Sequence, residues 1–458
     1  MIKLPYARAD FGSMMRDQCY YVDRTPFLEQ LETYAPVYTM FLRPRRFGKS
    51  LWISILEHYY DVNKVADFPL LFGDLHVGRN PTPLANQYRI LRFDFSGIET
   101  QDVRKVQEAF LVKVKEGFIH FVHRYPNHFE PDMVSWLRQQ TLASTVAVEF
   151  FLAYRRQPNP PPIYLLIDEY DQFTNELLSF HFADFKAIVA RNGYVRKFYE
   201  VLKEAAMKGT IARIFMTGVA PVTVDSMTSG FNIVTDVSLR PRFHNLMGFT
   251  EPEVTDLLQQ IPIELSQCAA ILTDLRQWYD GYRFNMKVST HLYNPEMVLY
   301  FAVYYQSEGT YPEKMLSANV ATDYKKIANI FRIANEEKLI IAQLSQFLEG
   351  GTINSYLTER FNAELGFTIS DIWSMLFYSG MLTIQSVLGN NYTFQLPNYV
   401  IKQLYYDYFM ALQLGISYGN LRHEIRESVY QLVMQGNIEP FTKYVAQVLD
   451  KEHSTRDN

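Results

Sequence analysis

A chain of 458 residues is longer than one hydrophobic core normally organises, so two or three domains are expected. With 48% hydrophobic, 20% charged and 15% aromatic residues it is not an extensively disordered protein. Its 44 basic against 49 acidic residues, a formal net charge of -5, rule out a uniformly basic sleeve for nucleic acid.

The opening "MIKLPYARADFGSMMRDQ" reaches charged residues too early for the apolar centre of a secretion signal. Thr25 before Pro26 in "YYVDRTPFLEQLE" predicts an N-capped helix with proline in its first position, running to about Leu31. "PVYTMFL", Pro36 to Leu42, is short, apolar and rich in strand formers, which predicts a buried strand; a helix follows over "KSLWISILEHYYD". "YRILRFDFSG" reads as a second strand, and Val103, Val106, Phe110, Val114, Phe118 and Phe121 recur at helical spacing from Gln101 to about His123. The prolines between Pro158 and Pro162 stiffen the entry to an apolar strand, Ile163 to Ile167. A helix over Phe185 to Met207 and a strand over Thr210 to Gly218 complete an alternation that predicts an α/β fold, a mainly parallel sheet covered by helices.

Helices dominate from "GFTEPEV", where Thr250 and Glu253 have capping-box spacing. Asn294-Pro295 marks another helix entry, and Asp323 to Gly350 reads as largely helical. "ISDIWSMLFYSGM" predicts a helix, "LTIQSVLGNNYTFQLP" a hairpin turning at Gly389-Asn390-Asn391, and "NYVIKQLYYDYFMALQL" a further helix, an order compatible with a winged helix. The expected division is an α/β domain over 1–248, a helical lid or linker over 249–365, and a helical, winged-helix-like domain over 366–458. No apolar run reaches the roughly 18 residues of a bilayer span. Cys19 and Cys268 have neither metal-ligand spacing nor a disulfide framework, which fits the cytoplasm as the expected location.

Gly48-Lys49-Ser50 in "FLRPRRFGKSLWISIL" lies between a predicted strand and a predicted helix, where free backbone N–H groups and the helix dipole favour phosphate. Arg43 stands where the usual G-x-x-x-x-G-K-[ST] loop has its first glycine. In that setting Lys49 reaches the β- and γ-phosphates of ATP and Ser50 holds Mg²⁺. Arg45, Arg46, Phe47, Gly48 and Leu51 complete the expected nucleotide-binding set. "IYLLIDEYD" carries Asp168 and Glu169 out of a buried strand, which suits Asp168 as the Mg²⁺ partner and Glu169 as the base that orients water. Thr217, at the end of "IFMTG", is placed as a catalytic sensor of the γ-phosphate or attacking water. Arg43, Arg45, Arg46, Arg240 and Arg242 are candidates for charge compensation, from this or a neighbouring subunit.

Taken in order, "YVDRTPFL", "FLRPRRFGKSL", "LLIDEYD", "FMTGVAPVTVDSMTSGFN", "GFTEPEV", "WYDGYRF" and "LYNPEMVL" resemble the AAA-ATPase-like family of prokaryotic P-loop proteins. The resemblance makes the R-P-R-R-F-G-K-S loop, with its arginine in place of glycine, a family feature, and it implies nucleotide binding at Gly48, Lys49 and Ser50 and strand-end acids at Asp168 and Glu169. Many relatives continue into a PD-(D/E)XK nuclease domain. The best local match to that motif, Glu336-Glu337-Lys338, lies in a helical pattern without an upstream acidic strand, so no nuclease activity is expected in this chain.

Arg240 stands where relatives are expected to carry an acid, which is either an additional phosphate contact or neutral drift. The aromatics and Arg283 of "WYDGYRF" either line the nucleotide or pack the helical region against the sheet. The expected function is an ATP-binding, Mg²⁺-dependent ATPase switch that controls assembly or an effector. Its expected partners are ATP, other copies of the chain, and a nuclease or other effector in trans. The alternative is a nucleotide-gated DNA-binding or scaffolding protein with little turnover, in an antiviral or mobile-element system. The hairpin "TIQSVLGNNYTFQLP" has no lysine or arginine for a DNA backbone, which weighs against that alternative.

Overall fold

The computed structural model describes residues 2–98, 103–157, 159–172, 193–221, 231–317, 351–361, 367–405 and 437–446, with single residues at 320, 343, 344, 347, 428 and 431. Among the described residues, five parallel strands form the central sheet: β1 (Tyr38–Leu42), β2 (Arg89–Asp94), β3 (Ile163–Asp168), β4 (Ile211–Gly218) and β5 (Thr235–Asp236). Their order is β2-β3-β4-β1-β5. β4 therefore sits between the strand that leads into the phosphate loop and the strand that carries the acids. Every residue of β3 is buried, which is why its sequence is a continuous apolar run rather than an alternating one.

Helices cover this sheet. The helix Lys49–Tyr60 buries Trp52, Ile53, Ile55, Leu56, Tyr59 and Tyr60, and each such side chain contributes about 1.5–3 kcal/mol on leaving water. The helix Val103–Arg124 buries Val106, Phe110, Val114, Phe118 and Phe121, the stripe expected from the spacing. The helix Tyr194–Met207 begins after Gly193, which is extended at φ -64° and ψ 141°, later than the expected start at Phe185; residues 185–192 lie outside the described set.

The helix Pro26–Tyr34 starts at the expected proline, but Thr25 does not cap it. Its hydroxyl donates to Asp23 Oδ1 at 2.6 Å and accepts from the Val77 amide at 3.3 Å, so it fastens the preceding turn instead.

The helix Glu251–Gln260 opens with the expected capping box, Thr250 N donating to Glu253 Oε2 at 2.8 Å. Asn294 caps Pro295–Glu308, accepting from the amides of Glu296 and Met297. The helix Ile369–Tyr378 precedes the expected hairpin, β7 (Thr383–Leu388) and β8 (Asn391–Gln395). A further strand, β6 (Ile353–Tyr356), pairs antiparallel with β8 to make a three-stranded sheet. The helical expectation for Asp323 to Gly350, the Glu336-Glu337-Lys338 triplet and the helix beyond Tyr405 fall largely or wholly outside the described residues, and with them most of the second helix of the expected winged helix. No helix among the described residues is long and apolar enough to cross a membrane. One continuous core runs from Phe11 to Tyr405, joining the sheet to the chain beyond residue 249.

Candidate nucleotide site

β1 ends at Leu42, and the chain passes through Arg43-Pro44-Arg45-Arg46-Phe47-Gly48 directly into the helix beginning at Lys49. Gly48 has φ +97° and open space where a Cβ would project, so backbone conformation rather than crowding demands glycine there. Arg46 shares the left-handed region at φ 69°, as does Glu169 at φ 50°. Non-glycine residues in that region concentrate at ligand sites.

Lys49 is only 4% exposed. Its ammonium donates to the Pro44 carbonyl at 3.2 Å and lies 3.5 Å from Glu169 Oε1, joining the loop after β1 to the end of β3. Asp168 is buried beside it; burial first, and the neighbouring Glu169 charge second, push its carboxyl up to about 6. Ser50 hydrogen bonds to this carboxyl, and Arg92 Nη2 stands 3.9 Å from Asp168 Oδ2. Asp168 Oδ1 is buried without a hydrogen-bond partner among the described residues. A hydroxyl and an orphaned carboxylate oxygen on adjoining elements are the protein's usual share of a Mg²⁺ shell, which otherwise keeps water and phosphate oxygens. These residues fit the ion.

A cleft of about 390 Å³ opens over the loop, lined by Arg45, Arg46, Gly48, Lys49, Ser50 and Glu169 among others. Phe47 and Leu51 also line it, but Phe47 is 1% exposed and sets its ring edge-on to Tyr282 and Phe284, with centroids 5.1 and 5.8 Å away. Its side chain anchors the loop and leaves only its backbone for a ligand.

Thr217 is fully buried and outside the cleft lining. Its hydroxyl donates to the Phe41 carbonyl at 2.7 Å, tying β4 to β1. The sequence placed it as a sensor; the structure gives its proton to a strand neighbour.

The candidate arginines separate. Arg43, 1% exposed, donates to the carbonyls of Leu42, Ser238, Phe243 and His244 at 2.8 to 3.3 Å and lies between the rings of Phe41 and Phe284. Burial pulls its guanidinium down to about 9, with Asp236 opposing. Arg240 and Arg242 are exposed and outside the cleft lining; Arg242 stacks over Tyr34 at 3.7 Å. Arg45 and Arg46 remain with the cleft.

Sequence reasoning missed Asp171. Fully buried, it accepts from Val219 N at 3.1 and 3.0 Å and from Ala220 N at 2.7 Å, while Tyr170 donates its hydroxyl to the Ala220 carbonyl. Gly218 lies so close that a Cβ there would come within 2.2 Å of Asp171 Oδ1. The signal available in the sequence was the second aspartate of "DEYD" and the glycine of "MTG", which meet in space. Also missed was the clasp on the loop from the later chain: Asn294 donates to the Arg45 carbonyl at 3.4 Å, and Arg46 pairs with Glu296 at 3.6 Å. "WYDGYRF" and "LYNPEMVL" thus meet the phosphate loop itself.

The family model described as "Predicted AAA-ATPase" matches residues 5–228. An "Uncharacterized protein in vnfD 5'region" of Azotobacter chroococcum mcd 1 is 27% identical over 307 residues, 65% of this chain and 52% of its own length. The chain therefore spans about half the length of that curated relative. Among solved structures, a Walker-type ATPase of Pyrococcus abyssi is similar over 89% of this chain and 99% of its own, at 10% identity and a TM-score of 0.43. Over residues 5–228, from the N-terminal segment through the phosphate loop and the acid strand to the chain beyond β4, the chain is similar to the AAA-ATPase-like family.

Proposed function

We propose that the chain binds ATP over the phosphate loop, hydrolyses it with Mg²⁺, and uses the change to shift its helical C-terminal region. The observation that carries this reading is the meeting of Lys49 and Ser50, at the start of the helix that follows β1, with Asp168 and Glu169 at the end of β3, although β4 separates the two strands. The amides from Arg46 to Ser50 and the Lys49 ammonium bind the phosphates, an arrangement favoured by the helix N-terminus. Lys49 passes from Glu169 to a phosphate oxygen, which frees the Glu169 carboxylate to orient water. Ser50 and Asp168 would hold Mg²⁺, whose charge offsets that of the transferring phosphoryl group. Arg45 and Arg46 supply the remaining positive charge at the cleft. Thr217 acts by holding β4 against β1.

The output we assign is control of assembly or of an effector in trans, because every residue from Arg43 to Phe47 touches chain beyond residue 238: Pro44 crowds Gly380, where a Cβ would lie 2.9 Å from its own. Calorimetric titration of ATP with and without Mg²⁺ tests the binding step. Saturable binding that Lys49→Ala abolishes is the expected result; binding of equal strength in Lys49→Ala would remove the reading.

A further inference from the structure

Glu296 is a carboxylate in the cleft for which phosphate hydrolysis has no use. It belongs to the first turn of the helix Pro295–Glu308, is 9% exposed, and lines the cleft together with Gly48, Lys49 and Ser50. Its Oε1 lies 3.6 Å from Arg46 Nη1. Two residues earlier on the same chain, Asn294 caps that helix and donates to the Arg45 carbonyl. Asn294 and Glu296 therefore clasp consecutive residues of the phosphate loop, one through its backbone and one through its charge.

A carboxylate is well placed at a helix N-terminus, where the dipole stabilises it. It is badly placed beside a polyphosphate, since like charges in a partly desolvated cleft repel and the effect grows with ligand charge. An arginine on the loop can satisfy the carboxylate or the phosphate, and its planar fork suits both.

Resting on the nucleotide-binding reading above, we infer that Glu296 sets the affinity of the cleft for polyphosphate and reports its occupancy: it competes with the phosphates for Arg46, and transfer of Arg46 to the ligand loosens the clasp on the helix Pro295–Glu308. A ligand can shift such an equilibrium only by its differential interaction with the two arrangements. Exchange of Arg46 between carboxylate and phosphate supplies that difference.

The test is calorimetric titration of ATP and ADP, each with Mg²⁺, into the full chain and into Glu296→Gln, Arg46→Gln and the double variant, with amide hydrogen exchange over 295–308. Glu296→Gln is isosteric and Arg46 is partly exposed, so both variants retain the fold; Glu296→Ala serves as a second removal of the charge. Glu296→Gln should tighten ATP by roughly threefold to tenfold, and ADP by less. Arg46→Gln should weaken ATP, and the two effects should not add. ATP should change exchange over 295–308 in the wild type and not in Glu296→Gln. A wild type that binds ATP while Glu296→Gln and Glu296→Ala bind it no more tightly overturns this inference alone. A wild type that binds neither nucleotide overturns it together with the reading on which it rests.

Discussion

The Arg43 guanidinium lies 4.2 Å from the centre of the Phe284 ring, so the residue that replaces a phosphate-loop glycine is held by an aromatic 241 positions further along the chain. With Phe41 on its other face and four carbonyls around its rim, Arg43 is a buried tie rather than a ligand for phosphate. The position of the usual first glycine is thus occupied by a residue whose contacts run to the chain that follows.

Restoring the glycine should therefore harm the protein. Arg43→Gly leaves buried carbonyls without donors and opens a cavity, which should cost about 2–4 kcal/mol in denaturant unfolding. Its ATP affinity at low temperature should stay close to that of the wild type. A variant of native stability that has lost nucleotide affinity would make Arg43 a phosphate contact.

Gly218 and Asp171 should behave as one unit. Gly218→Ala pushes a methyl into Asp171 and disturbs the bonds to Val219 and Ala220, a loss of about 1–3 kcal/mol. Asp171→Ala should cost a similar amount, and the double variant should cost clearly less than the two combined. Additive losses in unfolding experiments would show that the contact is not shared.

Thr217→Val separates a tie from a sensor. Loss of the bond to the Phe41 carbonyl should lower stability by about 1 kcal/mol with hydrolysis retained. A tenfold fall in hydrolysis at unchanged stability would give Thr217 the sensing role expected from its place at the end of "IFMTG".

His244 should make stability depend on acidity. Its Nε2 faces the Thr290 carbonyl at 3.0 Å, and burial, with Arg43 nearby, pulls its pKa down to about 4. The folded pKa lies below the unfolded value of about 6.5. The neutral ring therefore stabilises the fold above pH 6.5, and that contribution disappears as pH falls towards 4, on the order of 2–3 kcal/mol. The stability advantage of the wild type over His244→Gln should shrink by that amount between pH 7 and pH 4.5. An advantage that is constant with pH would contradict the assignment.

The strand, loop and helix around Lys49, and the strand that ends at Asp168, were legible because each is signalled locally: a buried parallel strand is a run of apolar residues, and the loop residues adjoin it. What sequence did not disclose was distance-spanning. The insertion of β4 between β1 and β3 leaves no local trace, nor does the pairing of Arg46 with Glu296 across 250 positions. β5 is only two residues long and has no periodicity to read. Thr25 and Thr217 carry ordinary cap and turn signals, but the Thr25 hydroxyl is held by Asp23 and the distant Val77 amide, and that of Thr217 by the distant Phe41 carbonyl.

Hydrolysis of ATP is the role proposed for Lys49, Glu169, Ser50 and Asp168 acting together. Phosphate release from ATP with Mg²⁺, measured for the wild type and Glu169→Gln alongside ATP binding by both, tests it most directly. Both proteins should bind ATP and only the wild type should turn over, with Glu169→Gln slower by roughly 10²-fold or more. Equal phosphate release from the two proteins would contradict it.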